Sequence, residues 1–400
     1  MNKVHVWIED PVELEGIVTV GATVEHSGKR IPLWYKVPAK FNSLITESSD
    51  SFLLATIFIA MREKKTLHIH GEISPSLARN LEEFQAIWSC WKPERYQSVE
   101  IFADVEKESP QIDDTPIAIS AFSGGVDSCF TAFRHAKKLC GRRSENLQAG
   151  LLIHGFDIAL DRPDFFNNSV HKSQLLLDSI GVDLLTVATN FRSLGQDWED
   201  SFAAAAASCL TLFKKKYSIG LFGSGAPYQA LVTPWVSHPA SAHLLSSRSF
   251  EFILDGSEFS RIEKVGKIAD WAEARKYLRV CWEGSMQDRN CGKCRKCLHT
   301  ILYFRAVGGG FPECFDEDIS DLEIAAISES NLGLIERLER VLTTAEANSL
   351  TGSWIQVLRK SVKRNRRNMK VTSLIEQQKK KLKQIIKSSS ISLSKASPRD

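Results

Sequence analysis

The sequence predicts an α/β protein: a parallel sheet with helices on both faces, preceded by an α+β unit and followed by a helical extension. Two observations predict the sheet. From Ile117 the chain alternates strand-like and helix-like segments, with strands over 117–122, 149–154, 184–189 and 218–222 and helices near 127–139, 165–180, 199–216, 261–274 and 295–307. That order makes consecutive strands parallel and covers both faces with the connecting helices. The strands also run into small or polar turns: Ser123-Gly124-Gly125, Gly155-Phe156-Asp157, Thr189-Asn190 and Gly223-Ser224-Gly225. In such sheets ligands bind at the carboxyl ends of the strands, where the strand order reverses.

Residues 1–112 form the first expected unit. Its strands are 4–8, 16–20 and 66–70, from β-type composition or alternation, and its helices are 51–61 and 76–91. Asp113-Asp114-Thr115-Pro116 reads as a linker into the sheet domain, which spans 113–310. Ala203 to Ala207 is a strong helix former within a packed helix. Residues 311–387 read as helical and polar. Within them Val371, Leu374, Ile375, Leu382, Ile385 and Ile386 recur at roughly helical spacing. Residues 388–400 are Ser-rich and expected to be disordered.

The chain has 400 residues, enough for a large core, and its 43% hydrophobic and 25% charged content is that of a soluble globular protein. Glu9 and Asp10 lie early, with no apolar segment typical of a signal peptide, and no stretch is long enough to span a bilayer. The expected location is the cytoplasm, with no membrane contact. The net charge of +3 hides an asymmetry, because residues 359–387 carry twelve Lys and Arg against the single acid Glu376. The rest of the chain is acidic. A basic helix of this kind packs on a protein partner or its own acidic body, or binds nucleic acid. With no RNA-binding fold in view, the protein contact is favoured.

Ala121 to Ser128 reads Ala-Phe-Ser-Gly-Gly-Val-Asp-Ser, behind a buried strand and ahead of a helix. This arrangement is a phosphate cradle. Gly124 and Gly125 let the backbone turn sharply and approach an anion where a Cβ would clash. The amides from Ser123 through Val126 and the helix start then point at negative charge. Ser123 and Ser128 add hydroxyl donors, and Asp127 can cap the helix or help hold Mg²⁺. An ordinary strand-to-helix turn is the bland alternative. No Gly-Lys-Ser/Thr follows, so this is not a Walker A loop.

Cys281, Cys291, Cys294 and Cys297 are spaced C-x9-C-x2-C-x2-C. Four thiolates at such spacing can close a tetrahedron around Zn²⁺, and Gly292 permits the tight knuckle. The net negative charge of that site would be offset by Arg289, Lys293, Arg295 and Lys296. A closed four-thiolate site is structural, since no position is left for water. An iron–sulfur cluster is the rival occupant. Cys90, Cys129, Cys140, Cys209 and Cys314 read as ordinary core or surface residues.

The Ser123–Ser128 segment resembles the PP-loop of the N-type ATP pyrophosphatases, whose signature is Ser-Gly-Gly-x-Asp-Ser. With the late cysteine set, residues 115–308 resemble 7-cyano-7-deazaguanine synthase. Uncharacterised bacterial proteins are similar at His154-Gly155-Phe156-Asp157, at Ser237-His238-Pro239 and over 255–264. The resemblance implies an adenine nucleotide alpha hydrolase-like sheet, ATP with Mg²⁺, and a structural Zn²⁺. It also implies cleavage of ATP to AMP and pyrophosphate, which adenylates a carboxylate or amide of a small-molecule or acyl substrate for attack by a nitrogen nucleophile. The synthase carries Tyr-Gly-Gln where this chain has His154-Gly155-Phe156-Asp157.

By position, Arg261 and Lys264 resemble the region that holds pyrophosphate, where fixed cations stabilise the leaving group. Asp127, Arg261 and Lys264 are thus the expected catalytic residues. A solvated helix face, or ion pairs with Glu258 and Glu263, is the plainer reading of the two cations. Phe156 would pack on adenine, Asp157 would cap or contact the ribose, and Gly223 would allow close approach to AMP. His238, His243 and Arg248 are candidates to line the acyl pocket. Two other functions stay open: thiolation of tRNA, and a nucleotide sensor that binds ATP without turnover.

Overall fold

The computed structural model describes residues 3–110, 115–232, 234–235, 237–281, 283–329 and 331–370. The basic segment beyond 370, the Ser-rich tail and half of the expected linker lie outside the described residues. The chain divides into two compact units. The first comprises Met1–Cys297 and Pro312–Asp316, and the second Leu298–Phe311 and Glu317–Asp400.

The first unit opens with β1 (Lys3–Ile8), β2 (Val12–Leu14), β3 (Ile17–His26) and β4 (Lys29–Pro38). There follow α1 (Asp50–Glu63), β5 (Thr66–Ile73), α2 (Pro75–Trp91) and β6 (Ile101–Glu106). The alternating segment then runs β7 (Ala118–Ala121), α3 (Val126–Ala136), β8 (Leu147–His154), α4 (Pro163–Asp178), β9 (Asp183–Thr189), α5 (Trp198–Thr211) and β10 (Ile219–Gly223). It closes with α6 (Pro239–Ala242), β11 (Glu251–Asp255), α7 (Arg261–Ile268), α8 (Ala272–Tyr277) and the start of α9 (Arg295–Ala306).

Among the described residues, eleven strands join one mostly parallel sheet in the order β11-β10-β7-β8-β9-β4-β3-β1-β5-β6, with β2 on β3. The α/β class expected from sequence is what the chain adopts. β7, β8 and β9 step one way from the centre, and β10 and β11 lie on the other side, all parallel. The order therefore reverses between β7 and β10. That reversal sets the loops after these two strands side by side, the position at which sheets of this kind bind ligands.

The boundary expected near residue 112 does not divide this sheet. β4 pairs antiparallel with β9, with Tyr35 opposite Thr189. Asn190 seals the junction, accepting from the Trp34 amide at 2.9 Å and donating to the Pro32 carbonyl at 2.7 Å. Helix α1 is buried from Asp50 to Met61 because it packs on both the sheet and α5. The small Ala203–Ala207 side chains of α5, all buried, let the two helices approach. Asp200 of α5 meets Lys92 and accepts from Tyr96 Oη at 2.8 Å, adding a polar tie between early and late residues.

Four strands escaped the sequence reading: β2, of three exposed residues, and β4, β6 and β11. β4 carries Pro32, which reads as a breaker, and β6 and β11 are short and close to turn residues. The single helix expected over 261–274 is two, since α7 ends at Ile268 and Trp271 caps α8.

The second unit continues α9 and adds α10 (Asp321–Ala326), α11 (Leu332–Ala347) and a helix over 353–370. Its buried polar centre pairs His299 Nε2 with Glu329 at 2.8 Å, and Asn365 donates to the Ile327 carbonyl at 2.9 Å. Among the described residues no helix is long and apolar enough to cross a membrane.

Candidate functional site

The loop after β7 turns at Gly124, whose φ of +74° lies in the left-handed region that favours glycine. Gly125 is the N-cap of α3, and no side chain caps the helix. Its leading amides are therefore left for a ligand or water. The serines brace the turn. Ser128 Oγ accepts from the Ser123 amide at 3.2 Å and donates to the Gly125 carbonyl at 3.1 Å. Ser123 Oγ accepts from the Gly125 amide at 3.4 Å. Ser128 and Val126 are buried, so they hold the loop's shape, while Ser123 is exposed.

Asp127 neither caps nor stands open. It accepts from Arg261 at 2.6 Å and from Lys264 at 3.1 Å, both on α7. Burial alone would raise the Asp127 pKa. The charges of Arg261 and Lys264 outweigh burial and bring it down to about 2. Lys264 is fully buried and also donates to the Ser224 carbonyl, and Arg261 reaches the Gly225 carbonyl at 3.4 Å. The plainer partners for these cations are engaged elsewhere. Glu263 closes a capping box on Ser260, and Glu258 pairs with Arg134 and Arg143 at 2.9 and 2.7 Å.

Gly223 makes a close approach within the protein itself. A Cβ there would sit 2.7 Å from the Asp127 carbonyl oxygen, so the glycine lets the end of β10 close on the start of α3. Gly155 is as constrained, with φ of +98° and a Cβ position 2.1 Å from the Thr189 carbonyl. Beyond it, Phe156 packs edge-on against Trp198 at 4.9 Å between ring centroids. Asp157 lies 3.8 Å from Arg279.

Arg279 is the residue the sequence reading missed. Its amide donates to the Gly124 carbonyl at 2.8 Å, and its guanidinium donates to the carbonyls of Ser123 at 3.1 Å and Gln287 at 3.2 Å. It is buried, and loss of water lowers its pKa from the usual arginine value. Nothing in its local sequence marks it, beyond standing two residues before Cys281. Lys296, inside the cysteine motif, lies in the same field. Burial and Arg261 lower its pKa, and Asp157 and Asp127 oppose them.

The loop histidines bond to nearby backbone, His238 partly buried and His243 exposed. His238 Nδ1 accepts from the Ala240 amide at 3.0 Å, and Nε2 then donates to the Leu231 carbonyl at 3.0 Å. His243 Nδ1 meets the Pro239 carbonyl at 3.0 Å. Beside these loops, Asp255 at the end of β11 accepts from Thr131 Oγ1 at 2.8 Å and meets His135 Nε2 at 3.2 Å. This buried network ties β11 to α3 and so positions the 256–261 turn that leads into Arg261.

Cys281, Cys291, Cys294 and Cys297 converge, with all four sulfurs within 4.8 Å of one another. Closest pairs are 3.5 Å for Cys294–Cys297, 3.8 Å for Cys281–Cys294 and 3.9 Å for Cys291–Cys297. One tetrahedral ion with thiolates at about 2.3 Å sets its sulfurs about 3.8 Å apart. The set therefore fits a single metal ion such as zinc. A multi-iron cluster would need wider spacing, because each thiolate lies beyond its own iron. Asn290 shapes the knuckle, accepting from the amides of Val280 and Cys281 at 2.8 and 3.2 Å. The same segment carries Arg279 and Lys296 to the Ser-Gly-Gly loop.

Compared with known families, curated proteins and solved structures, the chain gives no match.

Proposed function

We propose that the chain is an ATP-dependent adenylating enzyme of the PP-loop type, with an adenine nucleotide alpha hydrolase-like core. One observation carries the reading. At the reversal of a parallel sheet, a glycine loop and an uncapped helix start meet Arg261, Lys264, Arg279 and Lys296, with Asp127 and Asp157 as the acidic counterparts. Excess positive charge beside bare amides suits the β and γ phosphates of ATP.

Each residue then has a task. The Gly124 and Val126 amides hold phosphate oxygens, joined by those of Ser123 and Gly125 as they leave the serine hydroxyls they now meet. Arg261 and Lys264 exchange Asp127 for the triphosphate and neutralise the charge that grows on leaving pyrophosphate. Freed from its cations, Asp127 is a ligand for the Mg²⁺ that accompanies ATP. Arg279 keeps the loop in shape. Phe156 and Asp157 border the nucleoside side, and Gly223 closes β10 on α3. A zinc ion at the four cysteines would lock the Arg279–Lys296 segment.

The substrate's carboxylate oxygen bonds to the α phosphorus as the α–β bridging bond breaks and pyrophosphate leaves. A nitrogen nucleophile then bonds to the acyl carbon, the bond to AMP breaks, and the nitrogen loses its proton to solvent. Convergence of the four motif cysteines leaves none of those four open for sulfur delivery.

The test is product analysis with ATP, Mg²⁺, ammonia and a panel of carboxylic acids. AMP and pyrophosphate should appear in equal amounts with at least one acid. ADP and phosphate would defeat the proposal. Tight ATP binding without any release would favour the sensor.

A further inference from the structure

Far from the Ser-Gly-Gly loop, β1 and β5 run parallel with His5 opposite His68 and Trp7 opposite His70. Side chains alternate along a strand, so these four share one face. The other face carries Val4, Val6, Leu67 and Ile69, all fully buried. The three imidazoles are only partly buried, and Trp7 is 39% exposed.

The rings converge on one point. One nitrogen from each histidine lies within 4.8 Å of the other two. His5 Nδ1 and His70 Nε2 are 2.9 Å apart, and the His68 and His70 rings stack at 4.0 Å. His68 Nδ1 is buried and without a hydrogen-bond partner. The far sides of two rings face one acid. Asp104 of β6 lies 2.9 Å from His68 Nε2 and 3.4 Å from His70 Nδ1.

Packing three imidazoles together is costly if they are protonated; if they are neutral, His5 and His70 can share one N–H···N hydrogen bond at 2.9 Å, but His68 Nδ1 is left without a partner. A divalent transition ion resolves both problems, since it takes neutral imidazole nitrogens as ligands. A carboxylate on the opposite nitrogens is what fixes the tautomer of metal-bound histidine and raises its basicity. Asp104 stands there for two rings at once. The closest nitrogen pair would open from 2.9 Å to about 3.3 Å for tetrahedral zinc with nitrogens at about 2.0–2.1 Å.

We propose that His5, His68 and His70 bind one divalent transition-metal ion, such as Zn²⁺, with Asp104 as the outer carboxylate and one coordination position open to water. This site is separate from the four cysteines and does not depend on the adenylation reading.

The full chain is loaded with Zn²⁺, desalted and analysed for metal. Wild type should hold two ions per chain, and H68Q/H70Q should hold one. D104N should keep the second ion but bind it 10- to 100-fold more weakly, the usual cost of losing such a carboxylate. H171Q, an exposed histidine elsewhere, should match wild type. Because Trp7 stacks on His70 at 3.5 Å, Cu²⁺ should quench a saturable part of the tryptophan fluorescence, and W7F should lose that part. Circular dichroism checks that each variant is folded, and H5Q provides a second ligand removal if the double variant is not. Equal zinc content and affinity in wild type and the ligand variants, or no second ion in wild type, would overturn the proposal.

Discussion

Two carboxylates begin helices in this protein, and each meets a lysine from a distant segment, yet their surroundings differ. Asp50 opens α1, and Asp127 lies in the first turn of α3. Asp50 is sealed. Its oxygens take the Ser74 amide at 2.8 Å, the Ser74 hydroxyl at 2.7 Å and Lys214 at 2.6 Å, and the Lys214 side chain is only 1% exposed. One acid balances one base. Asp127 is 21% exposed and accepts from two cations, with Arg279 and Lys296 close behind. A buried pair that serves the fold is matched and dry. A pair that serves a ligand is unmatched in charge and reached by water. The distinction is physical: an unbalanced charge is tolerable only where solvent or a counter-ion can answer it.

The sharpest break of this comparison is Asp50→Asn. It strands Lys214 in a site without water, so unfolding in urea should show a loss of about 3–5 kcal/mol. Lys214→Met added to Asp50→Leu should recover most of it. The folded fraction of Asp50→Asn should bind ATP as wild type does. Arg261→Gln is the mirror experiment. Its pair with Asp127 is partly exposed, so stability should change by no more than about 1 kcal/mol. Pyrophosphate release should fall about 100- to 1000-fold, or about 3–4 kcal/mol of transition-state stabilisation. If Arg261→Gln unfolds the protein and leaves turnover intact, the two carboxylates have been assigned the wrong way round.

A third ionic network sharpens the contrast through pH. Burial opposes a charged His135, but hydrogen bonds and charges from Asp255 and Cys140 win and raise its pKa to about 9. Its usual value is 6.5, so the protonated ring stabilises the fold fully below that pH. The contribution falls away as pH rises from 6.5 through about 9. Urea unfolding across that range should lose roughly 2–3 kcal/mol, and His135→Gln should flatten the slope. An unchanged slope in the variant would move the cause elsewhere.

The central sheet was legible because strand and helix alternate from Ile117 with turns at each end. The continuity of that sheet into the first 112 residues was not. It rests on two β4–β9 pairs and on Asn190, contacts between residues more than 150 positions apart, which leave no local pattern. The glycine loop, Arg261 and Lys264 were legible from motif and position. That Asp127 joins those two cations to the loop was not, since it depends on how α7 packs on α3. Arg279 was invisible because its place is set by the cysteine knuckle folding back on the loop. The histidines sat in plain view in Thr66-Leu67-His68-Ile69-His70, but period-two spacing alone reads as an ordinary strand, and only the pairing with β1 adds His5.

The smallest expected effect decides what Asp127 does. If its carboxylate holds the place of a phosphate, Asp127→Asn removes the competitor and leaves Arg261 and Lys264 with unmatched charge. Inorganic pyrophosphate should then bind more tightly than to wild type, about tenfold or about 1.4 kcal/mol, in buffer without Mg²⁺. Calorimetric titration reads this directly. Adding Mg²⁺ should shrink the gain, because the variant lacks the carboxylate that would hold the ion beside the anion. The same titration on Asp50→Asn should show no change, since its lysine faces no solvent. Weaker pyrophosphate binding by Asp127→Asn in metal-free buffer would mean that the carboxylate organises the cations and does not compete for them. Asp127 would then belong with Asp50, as a part of the fold.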